Sequence, residues 1–262
     1  RKSQAGKRHP LKNSEVFRWI IARLMRGWSP EQIAGRMKLV FRDNIQMRIS
    51  PEAIYSFIYS EEYKHRRFWE YLPWKRKIRR KKPGRKVHRG RIPDRVSIHL
   101  RPEVVQTRKE FGHWEGDTVE SCNHKAGVNT LLERKTGLYL VTHLDSKTSA
   151  STREAVRTRL EYLPDKFKKT LTLDNGPENA DWQLLQQEVN INCYYAHPYH
   201  SWERGSNENA NGLLRDYFPK GTDFGMISRE LLATVEYELN TRPRKRLGWK
   251  TPVEVWGVAL QC

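Results

Sequence analysis

The apolar pattern of this chain changes period at Phe111, and that change limits what the chain can fold into. Before it, apolar residues recur at helical spacing. After it, short runs fit strands. His113–Ser121, Val128–Glu133 and Leu138–Leu144 read as three strands, with Gly137 marking the last turn. Helices and strands then alternate. Residues 149–163 form an amphipathic helix carrying Ala155, Val156, Leu160 and Leu163, and 171–173 a short buried strand. Residues 182–189 read as helix, 191–196 as strand, and 205–218 and 228–240 as helices. Three strands followed by alternation predict an α/β fold, a mixed five-stranded sheet with helices.

Ahead of the break, three short helices are expected. Asn13 or Ser14 caps a helix with Val16, Phe17, Ile20, Ile21 and Leu24 on one face, and Gly27 ends it. Ser29-Pro30-Glu31-Gln32 is a capping box with Pro at the first helical position, followed by Ile33, Met37 and Val40 or Phe41. Ser50-Pro51-Glu52-Ala53 starts a third helix with Ile54, Phe57 and Ile58. The pattern resembles a small all-α helix-turn-helix module. Two features depart from it. The connection at 42–49 is longer than the usual turn, and the third helix holds no Lys or Arg. Its candidate contacts are Glu52, Tyr55, Ser56 and Tyr59.

Charge divides the chain at the same place. Residues 1–110 hold 30 basic and 10 acidic side chains, a net of +20; residues 111–262 hold 19 and 20, a net of −1. The basic side chains Lys75, Arg76, Lys77, Arg79, Arg80, Lys81, Lys82, Arg85, Lys86, Arg89 and Arg91 form a block with no acid among them. A block of one sign repels itself unless a polyanion is present. We therefore expect a helix-turn-helix domain over 1–63, a basic DNA-binding linker over 64–110 and a core over 111–262. No apolar run is long enough to span a bilayer and no signal peptide is evident, so cytoplasmic residence, next to DNA, is expected. Cys122, Cys193 and Cys262 are odd in number and widely spaced, which suits a reducing compartment. The chain starts at Arg1 without an initiator Met, so a preceding segment is expected.

Three carboxylates carry the chemistry. Asp117 lies mid-strand, Asp174 follows the run Leu171-Thr172-Leu173, and Glu208 opens a helix 33 residues further on (208 − 174 − 1 = 33). Asp174-Asn175-Gly176 alone reads as a turn, and Glu208 alone suits a first helical turn. Together, in this order, they can converge on divalent metal. Like charges raise each other's pKa, and a cation removes that penalty. Mg2+ takes oxygen ligands, with Mn2+ a possible substitute, and two ions can activate an attacking oxygen and stabilise a leaving one. Arg215, two turns after Glu208 on the same face, is a candidate DNA-phosphate contact, with Asn211 and Gly212 between them. Asn211, Glu178, His197 and Arg204 are supporting candidates. No Gly-x-Ser-x-Gly, P-loop or Cys-x-x-Cys is present.

These residues carry a family resemblance. Trp114-Glu115-Gly116-Asp117 resembles the segment around the first catalytic Asp of retroviral-type integrases and bacterial transposases. Leu-Thr-Leu-Asp-Asn-Gly-Pro-Glu (171–178), Ser-Trp-Glu-Arg-Gly-Ser-Asn-Glu-Asn-Ala-Asn-Gly-Leu-Leu-Arg (201–215) and Tyr-Phe-Pro-Lys-Gly-Thr-Asp-Phe (217–224) look like transposases of insertion-sequence family thirty. Their C-terminal signature is matched by Asn240-Thr-Arg-Pro-Arg-Lys-Arg-Leu-Gly-Trp-Lys-Thr-Pro-Val-Glu-Val-Trp256. The order of strands and helices is that of a ribonuclease H-like core. The resemblance implies that Asp117, Asp174 and Glu208 are the DDE triad and Arg215 the basic residue that follows it. It implies metal-dependent strand cleavage at terminal inverted repeats, 3′-OH transfer into target DNA, and a homodimer or higher assembly. The resemblance implies a further N-terminal helix-turn-helix, which is expected to be absent or incomplete in this sequence. No membrane or small-molecule substrate is implied. Two rivals are a DNA-binding regulator without catalysis and a nuclease acting on RNA hybrids.

Overall fold

The structure is a computed structural model. It describes residues 11, 13–72, 75, 92, 95–122, 125–197, 203 and 205–261. They divide into two compact units. The first comprises the described part of 1–84 together with Arg242–Val255; the second comprises the described part of 85–241 and of 256–262.

In the first unit the expected helices form where their local signals lie: α1 (Ser14–Met25), α2 (Pro30–Val40) and α3 (Pro51–Ile58). Each start is capped by a side chain. Asn13 Oδ1 accepts from Val16 N (2.8 Å), and Ser50 Oγ accepts from Ala53 N (3.1 Å). Ser29 and Gln32 close the capping box in both directions (3.3 and 2.9 Å). Gly27, at φ +74°, turns the chain out of α1. Val16, Ile20 and Leu24 pack with Ile33, Met37, Ile54, Phe57 and Ile58 in one core. Each such buried side chain contributes roughly 1.5–3 kcal/mol. The long connection has a structural reason: it makes a 3-10 turn, Ile45–Met47, that buries Met47 in that core.

The second unit is built on a five-stranded sheet: β1 (His113–Glu120), β2 (Gly127–Glu133), β3 (Tyr139–Leu144), β4 (Thr170–Leu173) and β5 (Asn192–Tyr195). Their order is β3-β2-β1-β4-β5. The first three strands pair antiparallel, while β4 runs parallel to β1 and to β5. This mixed order is ribonuclease H-like, as expected. The helices are α4 (Val104–Thr107), α5 (Ser149–Leu160), α6 (Trp182–Val189), α7 (Gly205–Tyr217), α8 (Arg229–Asn240) and α9 (Pro252–Gln261), the last divided between the units at Val255. Trp114, Leu131, Leu171, Leu173 and Cys193 pack with Val156, Leu160, Trp182, Leu185 and Trp256 in one cluster. Val119, Val128, Leu132 and Val141 pack with Ala210, Leu214, Leu232, Val235 and Leu239 in another. No helix among the described residues is long and apolar enough to cross a membrane.

Two expected boundaries differ. Stretch 64–110 is folded at both described ends: Phe68 and Leu72 join the first core, while Ile98 and Val105 are buried in the second unit. Their apolar side chains outweigh the basic character of the segment between. Residues 242–255, expected in the core, belong to the first unit. The helix predicted over 149–163 ends at Leu160, ahead of Pro164.

Candidate active site

Asp117 stands on β1 and Asp174 directly follows β4. These strands pair in register His113↔Thr170, Trp114↔Leu171 and Glu115↔Thr172. Carried two residues further, that offset (170 − 113 = 174 − 117) sets Asp117 level with Asp174, on one face of the sheet. Both side chains are half-buried. Gly116 permits the approach, since a Cβ there would meet Leu173 Cδ2 at 2.9 Å. Beyond β4 the chain folds into an Asx turn. Asp174 Oδ1 accepts from Gly176 N (3.1 Å) and from Asn179 Nδ2 (2.8 Å). Asn175 Nδ2 donates to the Ala196 carbonyl (2.7 Å), and Tyr195 Oη to the Asn179 carbonyl (2.6 Å), bracing the turn against β5.

Helix α7 lies against β1 through a stripe of polar side chains one turn apart. Asn207 N donates to Glu115 Oε2 (3.0 Å), and Asn207 Nδ2 to the Glu115 carbonyl (3.3 Å). Asn211 Nδ2 donates to Asp117 Oδ2 (2.7 Å), while Asn211 Oδ1 accepts from Thr130 Oγ1 (3.2 Å) and Tyr139 Oη (2.5 Å). Arg215 donates to the Glu120 carbonyl (3.3 Å) and to those of Phe218 (3.5 Å) and Pro219 (3.3 Å). Its guanidinium also sits over the Phe224 ring. Arg215, expected as a phosphate contact, here ties the end of α7 to β1 and to the chain that follows.

Glu208 lies at the solvent edge of this stripe. At about 100° per residue it is turned roughly 60° from Asn211, and its side chain is exposed. Among the described residues, no three His, Cys, Asp or Glu side chains are grouped to hold a metal ion. The β1–β4 register, continued past Thr172, would set the two aspartates level, and Asn211 is bonded to Asp117; among the described residues the three carboxylates are not grouped as a ligand set.

Beneath the start of α7 is an ion pair whose importance the sequence did not reveal. Glu115 is fully buried and pairs with Arg134, itself 4% exposed. Arg134 Nε also donates to the Val105 carbonyl (3.2 Å) and Arg134 NH2 to Gln106 Oε1 (3.3 Å). Burial pushes the Arg134 guanidinium down despite Glu115. Nearby Arg101 donates to Thr172 Oγ1 (2.7 Å) and is lowered to about 10 by burial and by Arg134. The available signal was positional: Glu115 and Asp117 are two apart on a strand and face the same side.

Glu178 is buried 3.6 Å from Lys147, which also bonds Glu120 (3.3 Å). His197 Nδ1 meets Glu203 Oε1 (2.9 Å), its backbone N–H donates to Glu203 Oε2 (2.8 Å), and Nε2 lies 3.3 Å from Ser97 Oγ. Lys75 is exposed. Arg76, Arg79, Arg80, Lys81, Lys82, Arg85, Lys86, Arg89, Arg91 and Arg204 lie outside the described residues.

Comparison with known proteins gives a consistent answer. No protein-family model matches the chain. It is 37% identical over 254 residues to the transposase for insertion sequence element IS4351 of Bacteroides fragilis, covering 97% of this chain and 76% of that protein. It is 37% identical over 247 residues to the transposase for IS1086 of Cupriavidus metallidurans, covering 92% and 73%. The transposase InsI for IS30A of Escherichia coli is 35% identical over 255 residues, covering 95% and 66%. Among solved structures, the catalytic core domain of BIV integrase aligns at TM-score 0.44 and 20% identity, covering 57% of this chain and 95% of that one. By the extent and level of identity to the transposases, this chain belongs to the IS30 family of insertion-sequence transposases.

Proposed function

We propose that this chain cuts and rejoins DNA strands at the ends of its insertion sequence, with Asp117, Asp174 and Glu208 as the reacting-centre carboxylates. The observation that supports the reading is the parallel register of β1 and β4, which carries Asp117 on one strand and leads into Asp174 after the other, with Asn211 of α7, the helix that bears Glu208, bonded to Asp117. Half-buried carboxylates brought close to one another would call for a cation, and their hard oxygens suit Mg2+ or Mn2+. Asp117 and Asp174 would hold it from the sheet and Glu208 from α7. When bound, a pair of such ions activates the attacking oxygen and stabilises the leaving one.

The chain's own residues set the carboxylates. Asn211 orients Asp117, Asn179 and the Gly176 N–H orient Asp174, and Glu115 holds the first turn of α7 through Asn207. In the first step, water forms a bond to phosphorus at the element end and the bond to the 3′ oxygen breaks, leaving a 3′-OH and a 5′-phosphate. In the second, that 3′-OH attacks a target phosphodiester in line, so one P–O bond forms as another breaks. Positioning supplies much of the catalysis, and no covalent enzyme intermediate is needed.

The substrates on this reading are the terminal inverted repeats and target DNA, met in the bacterial cytoplasm at the nucleoid. Two ends must be paired, which calls for a dimer or larger assembly. The helices of the first unit would bind DNA as a helix-turn-helix module, with residues 75–91 as a basic tether. The test is Asp174→Asn. The variant is expected to bind inverted-repeat DNA like the parent and to lose Mg2+-dependent cleavage and joining. Retained cleavage would remove the triad assignment.

A further inference from the structure

The C-terminal segment 240–256 has no part in the chemistry above, yet it is tightly placed. Between Arg242 and Val255 it belongs to the first unit, and it is seated on α2. Gln32 Nε2 donates to the Pro243 carbonyl (3.0 Å), and Arg36 NH1 to the Trp249 carbonyl (3.1 Å). Arg36 also forks onto Glu254, with NH1 2.8 Å from Oε2. The Trp249 ring occupies the space a Cβ on Gly35 would need, so Gly35 is what lets the segment lie flat on the helix. Thr251 and Glu254 cap the start of α9 reciprocally (2.7 and 3.2 Å).

Between these anchors the chain makes a compact turn. A 3-10 turn, Lys245–Leu247, is closed by Gly248 at φ +62° and by Trp249 N donating to the Arg244 carbonyl (3.0 Å). Residues 242–250 hold Arg242, Arg244, Lys245, Arg246 and Lys250 and no acid. Lys245, Arg246 and Lys250 are exposed. Arg244, Lys245, Arg246 and Trp249 line a groove of about 380 Å³ with Gln32 of α2 and its N-cap Ser29. Glu31 is the acid on its wall, and its carboxylate accepts from Tyr55 Oη (3.1 Å). Burial and the neighbouring cations Arg242 and Arg246 lower the Arg244 guanidinium to about 10, as expected where like charges are crowded.

The third helix of the same unit, the one a helix-turn-helix would use for reading bases, carries Glu52 and no Lys or Arg. Affinity for duplex DNA comes largely from phosphate neutralisation. We propose that the turn 244–250 grips the DNA backbone for the first unit: a phosphate-binding surface supplied by the C-terminal segment beside a third helix that has no basic side chain. It rests on the DNA reading above.

The test uses the whole chain with Lys245→Ala and Arg246→Ala together. Both side chains are exposed, so the melting temperature should match the parent. Binding to a fluorescein-labelled random-sequence DNA duplex is followed by anisotropy over a salt series without divalent metal. Loss of two phosphate contacts should lower the slope of log affinity against log salt by about 1.8, since each contributes about 0.9. Between 50 and 200 mM salt the variant then loses about 12-fold less affinity than the parent. Lys250→Ala should lower the slope by about 0.9. An unchanged slope in both variants overturns the proposal and leaves the triad assignment standing. Cleavage by Asp174→Asn would overturn the triad and leave the slope result untouched.

Discussion

Removing the carboxylate of Glu115 should do more damage than removing any exposed acid of the second unit. Glu115→Leu leaves the Arg134 guanidinium buried, with a carbonyl and an amide as its remaining partners. It also takes the acceptor from Asn207 N at the start of α7. Breaking a buried pair from one side costs about 3–5 kcal/mol, a large share of the roughly 5–15 kcal/mol that holds a typical domain. Replacing both partners, Glu115→Leu with Arg134→Met, removes the orphaned charge, and the double variant should recover much of the loss. Urea unfolding, followed by the fluorescence of Trp114, Trp182 and Trp256 in the second unit's core, measures each corner of the cycle. The coupling should fall within about 0.5–3 kcal/mol, the range for residues in one buried network. Glu115→Gln keeps an oxygen for Asn207 N and should lose less stability than Glu115→Leu. Additive single losses, or a Glu115→Leu cost below about 1 kcal/mol, would refute the buried-pair argument, which assigns this site the 3–5 kcal/mol class.

Two further outcomes are expected. Asn211→Leu removes the donor to Asp117 and leaves the buried Tyr139 hydroxyl without that acceptor, costing about 1–3 kcal/mol. On the proposed reading, a Mg2+ titration of cleavage should show a higher half-saturating concentration; an unchanged one would mean that Asn211 does not orient Asp117. In the first unit, hydrogen bonding from Arg36, then from Thr251 N, lowers the Glu254 carboxyl from 4.5 to about 2. Its folded value is therefore below its unfolded one, so its stabilisation is present above pH 4.5 and is lost as pH falls through about 2. Glu254 is 43% exposed, so solvent screening holds the contribution to about 1 kcal/mol. Acid unfolding of Glu254→Gln should lack this component, and identical acid profiles would show that the pair contributes nothing.

What the amino-acid sequence determined by itself is what local physics specifies. The starts of α1, α2 and α3 were legible because caps act over three residues: Asn13 to Val16, Ser29 to Gln32, Ser50 to Ala53. The five strands were legible as short apolar runs, and so was the placing of Asp117 on a strand, Asp174 just after one and Glu208 on a helix. Only the tertiary structure decided the rest, because it depends on contacts between residues far apart in the chain. That Asn211 grips Asp117, and that Glu115 is the floor beneath α7, depends on pairings across 94 and 92 residues. That Arg215 goes to backbone carbonyls follows from how α7 lies on β1, and helical spacing alone cannot tell a carbonyl from a phosphate as its partner. The C-terminal segment is the clearest case. In the sequence it matched the family's C-terminal signature, but its seat on α2 is set by contacts such as Gln32 to Pro243 and Arg36 to Glu254, more than 200 residues apart. Periodicity reports which face of an element is apolar; it carries no information about which distant segment will cover it.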